Sequence, residues 1–216
     1  MSVNFATGSQ FAIASTYGTS VAVSAASNAS SCVITVADGS TFSVGDIIEF
    51  TSGWEPANNR LFRISAKATN DLTLEGLNTT STTRYPAGSG VGSIREITAW
   101  STITQVRGTN PQAPSNEFED ISTMANSTII EVPVAQRLGG LDLEVLDDPA
   151  LSFVSVLETA ADTIALTGLR IIQASGAKIY ANGYYTYGKV PTFPTRGALT
   201  NQVAFKYASV PTRYTS

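Results

Sequence analysis

The sequence has no histidine and only one cysteine in 216 residues. Without histidine it lacks the commonest general base and metal ligand, and no Ser/His or Cys/His nucleophile pair can form. A lone cysteine, Cys32, excludes an internal disulfide and a cysteine-rich metal site. It reads as a small hydrophobe in a core. Charge is also scarce, with 14% Asp, Glu, Lys and Arg against about 25% in typical soluble domains. The surface must therefore be built from Ser, Thr, Asn and Gly. That suits a protein whose faces are covered in an assembly, or an extracellular β protein. The net charge of −4 is a poor match for a phosphate backbone, which is held by Lys and Arg. No run reaches the roughly 18 apolar residues of a membrane span. No basic segment precedes the short apolar run near Phe11, so no signal peptide and no membrane insertion are expected.

What remains is mostly strand and turn. Residues 10–16 and 19–26 alternate weakly around a turn at Tyr17 and Gly18. Segments 32–53 and 60–77 read as two strand pairs, with turns at Gly45 and Asp46 and at Asn70 and Asp71. Residues 78–93 read as loop, and 28–97 together as a small β-barrel or sandwich. A long strand begins at 94, and 109–127 reads as a long loop rich in Pro, Asn and Ser. Loops of that length are usually functional or disordered. In 128–138, Ile130, Val132, Val134 and Leu138 are read on one face and Ile129, Glu131, Ala135 and Arg137 on the other; Pro133 marks an edge or a bulge. Gly139 and Gly140 are expected to turn the chain into 141–147, where Leu141, Leu143 and Val145 oppose Asp142, Glu144 and Leu146.

One helix interrupts this pattern. Asp148 suits its N-cap and Pro149 its first position. Ala150, Phe153, Val154, Leu157 and Ala161 then form an apolar stripe. The expected seat is the face made by Ile130, Val132, Val134, Leu141, Leu143 and Val145. Three closing strands follow, in 163–173, 177–190 and 198–210.

Candidate chemistry is thin, and no catalytic residue, metal ligand or cofactor is expected. Gly88, Ser89 and Gly90 precede no helix, so they do not form a phosphate loop. Glu117, Glu119 and Asp120 lack the spacing of a calcium loop, and read as a solvated loop or an interface. Asp142, Glu144, Asp147 and Asp148 read as a strand edge plus a cap. Tyr180, Tyr184, Tyr185 and Tyr187 read as packing aromatics, with a sugar platform as the alternative.

The layout of the second half carries a resemblance. Its elements are "EFEDIST" at 117–123, "LDLEVLDDPALSFVSVLETA" at 141–160 and the hairpin within 178–207. In this order they resemble the major tail tube proteins of long-tailed, non-contractile bacteriophages, over 94–216 plus a first strand near 9–16. The resemblance implies a mainly β fold of two packed β-sheets flanked by one α-helix. To this the chain adds a small inserted β-barrel or sandwich. The expected division is 1–27 as N-terminal arm and first strands, 28–97 as the inserted module, and 98–216 as the main tube domain.

The resemblance further implies a non-enzymatic virion protein, made in the bacterial host cytoplasm. Six subunits would close a ring, and rings would stack into a conduit for DNA ejection. Partners would be other copies of itself, a tape-measure protein, a tail terminator and tail-tip proteins. Double-stranded DNA would pass through without specific binding, because an acidic lining repels phosphates. Glu131, Asp142 and Glu144 are the lumen-facing candidates. Asn116, Glu117, Phe118, Glu119 and Asp120, with the arm 1–9, are the ring-to-ring candidates. Rival readings are a carbohydrate-binding or adhesin-like β-sandwich and a glycosidase built on paired acids.

Overall fold

In the computed structural model, which describes residues 7–125 and 127–215, one long strand organises everything else. Strand β7 (Gly92–Ile103) is twelve residues long, about 40 Å at strand rise, and serves two sheets. Its first half pairs with β2 (Val21–Ala26) and β4 (Ile47–Ser52), and its second half pairs with β1 (Gln10–Tyr17). Gly92 lies where β7 meets both β2 and β4, and a Cβ there would collide with the Thr51 carbonyl. With β3 (Val33–Val36), β5 (Arg60–Ala68) and β6 (Asp71–Leu74), the first half closes a six-stranded barrel in the order β2-β3-β6-β5-β4-β7.

The barrel interior follows from period-two alternation. Ile34, Val36, Phe62, Ile64, Leu72, Leu74, Ile48, Phe50 and Ile94 fill it, with Cys32 among them. Burial pushes the Cys32 thiol pKa up. Trp54 plugs one end. Its ring meets Tyr85 edge-on at 5.3 Å, and Nε1 donates to the Pro86 carbonyl at 2.7 Å. Strand β5 is buried on both faces: Phe62 and Ile64 point into the barrel, while Leu61 joins a cluster with Ala14, Ile47, Ile97, Tyr180 and Tyr214 between barrel and main sheet.

The main sheet runs β7-β1-β12-β13-β14-β11-β8. Its further members are β12 (Thr167–Ile172), β13 (Lys178–Tyr187), β14 (Thr200–Tyr207), β11 (Gly140–Leu146) and β8 (Val106–Gln112). Short β15 (Thr212–Tyr214) pairs with β13 at the barrel side. There Tyr214 Oη accepts from the Arg63 amide at 2.8 Å and donates to the Glu75 carbonyl at 3.2 Å.

Helix α1 (Ser152–Asp162) buries Phe153, Val154, Leu157 and Ala160 against β13, β1 and β7. It starts later than its sequence signals. Residues 148–151 form a turn, in which Asp148 accepts from Ala150 and Leu151, and Leu151 is a cap without a side-chain bond. Ala150 is exposed, and Ala160 takes the buried place expected of Ala161.

The expected floor of the helix is half right. Leu141, Leu143 and Val145 are in its core, but Ile130, Val132 and Val134 are exposed and far from any core. Gly139 and Gly140 do not fold 128–138 back onto β11. The segment β10 (Glu131–Arg137) pairs instead with β9 (Ser115–Asp120), inside the stretch read as a loop. Both β8 and β9 are therefore strands, and β8-β9 and β10-β11 form the two sides of one long hairpin that bends at Gly139. That residue has φ +79°, and a side chain there would strike the Gln112 carbonyl. Pro133, read as an edge or a bulge, lies at a bulge, with the register shifting between Pro133 and Ala135.

Candidate assembly surfaces

The distal half of the long hairpin is an arm. Strands β9 and β10 pair with each other and pack substantially on no other element among the described residues. Large apolar side chains stand in the open on both, with Phe118 56% and Val134 60% exposed and Ile129, Ile130 and Val132 exposed as well. A lone two-stranded ribbon is marginal in water, and an apolar ribbon with two free edges is a pairing hazard. Such an arm needs a partner.

The ring-contact candidates of segment 116–120 lie here. Asn116, Phe118, Glu119 and Asp120 are exposed, and Glu117 is half-buried by its ion pair with Arg137. Arg137 thus meets a carboxylate of its own chain. Asp120 takes hydrogen bonds from the Ser122 side chain and amide, which hold its pKa low.

The lumen candidates separate into two places. Glu131 is on the arm, opposite Asp120. Asp142 and Glu144 are on the main sheet, on the face away from α1, because they alternate with Leu141, Leu143 and Val145. Register sets Asp142 beside Ala204, Glu144 beside Gln202, and Lys206 beside Tyr184. Asp142 accepts from Gln112 Nε2 at 2.7 Å, and the Gln112 carbonyl oxygen takes the Lys206 ammonium. The result is a polar, half-exposed patch of small and hydroxylated neighbours, ending in the free edge of β8.

The tyrosines do not form a platform. Tyr180 and Tyr185 are core residues, Tyr187 is half-buried with its oxygen accepting from Asn201 Nδ2 at 3.0 Å, and only Tyr184 is exposed, at 43%. Sequence reasoning missed the arm. The alternating acids and Phe118 in 115–120 were the available signal, masked by the prolines and asparagines around them.

A family model described as phage tail tube protein, TTP, matches residues 52–216. The chain belongs to this family. The match takes in β5, β6 and β7 of the barrel as well as the main sheet from β8 onward. A comparison with curated proteins finds no match. As a phage tail tube protein, the chain is a structural component of the virion tail that assembles with itself into a tube.

Proposed function

We propose that this tail tube protein assembles as stacked hexameric rings whose channel conducts DNA into the host. The observation that carries this reading is the arm: an apolar ribbon with two free edges, beside the free edge of β8. Closing a ring satisfies such borders with neighbouring copies. The face bearing Asp142 and Glu144 would line the channel, where carboxylates keep phosphates from sticking. Glu131, on the arm, would reach the channel only near a ring boundary. Residues 116–120 would make ring-to-ring contacts, joined by the arm 1–9, of which 1–6 lie outside the described residues.

In this reading the protein has no catalytic role. Subunits assemble in the host cytoplasm, and the tape-measure, terminator and tip proteins meet the lumen and the two tube ends. The 28–97 module, closed into a barrel by β2 and the first half of β7, would decorate the tube exterior or brace adjacent rings, and the main sheet would form the tube domain. Negative-stain microscopy of concentrated protein is the test. Hollow tubes or sixfold rings are expected; dispersed particles at all concentrations would refute the reading.

A further inference from the structure

Helix α1 packs on β13, β1 and β7 and covers only part of the apolar sheet face beneath it. Register places Ile13, Leu169 and Ala181 side by side, and two residues along, on the same face, Phe11, Ile171 and Ile179. The first row is dry under the helix. The second row, with Leu141 and Pro111 across from it, lines a cavity of about 840 Å³ that opens to solvent. Among the described residues this face is thus a trough, apolar along these two rows and covered by α1 only over the first.

Its rim is basic. Arg107 lines the opening, is exposed and makes no ion pair among the described residues. Arg213 donates to the lining residue Gln173 at 2.9 Å, bringing a second guanidinium close. None of the described lining residues is acidic. The arm has the opposite character. Segment 115–137 carries Glu117, Glu119, Asp120 and Glu131 against Arg137 alone, and Arg137 is taken by Glu117. On one face of the arm the exposed Phe118 stands opposite Pro133, with Asp120 and Glu131 next along that same face, so apolar cover and carboxylates are presented together.

We propose that the arm of one copy docks in the open part of the trough of the next copy. Its apolar side chains would finish the core that α1 leaves open, and its carboxylates would meet Arg107 and Arg213. The same copy's arm is the wrong occupant. It leaves the body past Gln112, on the hairpin whose base already forms one wall of the trough through Val106, Thr109, Pro111 and Leu141. The contact is head-to-tail, so it propagates from copy to copy. It rests on the tube reading above and adds an acceptor site to it.

Cross-linking tests this directly, because Cys32 is the lone cysteine and is fully buried. Thr109→Cys and Val134→Cys place thiols on the trough wall and on the arm. A flexible bis-maleimide applied to assembled double variant is expected to give a ladder of covalent oligomers. A mixture of the two single variants should stop at dimers. Arg107→Glu should raise the concentration needed for polymerisation about tenfold or more, and adding Asp120→Arg with Glu131→Arg should lower it again. Tubes that form normally yet yield no cross-linked species, or an Arg107→Glu threshold equal to that of the unaltered protein, would overturn the docking proposal while leaving the tube reading intact. Absence of tubes from the unaltered protein would instead refute the tube reading.

Discussion

Single residues carry strain and charge in places that can be tested. Ile164 sits just past α1 with φ +50° and is 72% exposed, while the Ala165 amide closes the helix end on the Ala160 carbonyl. A β-branched residue in the left-handed region costs about 1–2 kcal/mol, and glycine does not bear that cost. Ile164→Gly is therefore expected to stabilise the fold by about 1 kcal/mol, read as a higher melting temperature. Leu157 is fully buried under the helix, so Leu157→Ala should cost about 2–5 kcal/mol in urea unfolding. Two carboxylates have opposite pH signatures. Glu75 is held low by its hydrogen bonds from Arg63, so its contribution is present above the unfolded carboxylate pKa and fades as pH falls through the lower folded value. Glu96 is pushed up by burial and by Asp46, so stability falls as pH rises from its unfolded to its folded pKa. Glu75→Gln should flatten the acid limb of a stability-versus-pH curve, and Glu96→Gln should raise stability at neutral pH.

At the scale of elements, the long hairpin decides assembly. Gln112 and Gly140 are direct partners at the base of the arm, so an Asn-Gly turn can join them and delete 113–139 with little strain. Because the arm packs substantially on no other element among the described residues, the shortened protein should melt close to the unaltered one, while tubes vanish from micrographs. Loss of folding on this deletion would show that the arm belongs to the body after all. This element was also the least legible. Segments 131–137 and 141–145 show the same alternation of apolar and polar residues, and alternation reports only that a strand has two unlike faces. Which of them meets a core depends on the partner strand. β11 lies between β14 and β8, whereas β10 has β9 alone. The helix was legible because a period near 3.6 stands out among strands; its start was not, since Asp148 spends its carboxylate on a turn instead of a cap.

On the scale of the whole molecule, barrel and main sheet behave as one body. They share β7, and Tyr214 locks β15 against β5 through the Arg63 amide, the Glu75 carbonyl and the Arg63 guanidinium 4.6 Å from its ring. Asn182 Nδ2 and Ser209 Oγ both donate to the Asn59 carbonyl across the same junction. Tyr214→Ala should cost about 3–5 kcal/mol, the range for a large buried aromatic, and should speed hydrogen exchange in β5 and β15 before the rest of β13. The sequence alone determined the strand-rich class, the presence of one helix and the face on which Leu141, Leu143 and Val145 lie. All of these are properties of composition or of local period. Only the tertiary structure decided that Val132 and Val134 stand in water, that 115–120 is a strand, and that α1 leaves part of its trough open. Those follow from which distant segment pairs with which, and hydrogen bonding between backbones is blind to the side chains in which local pattern is written.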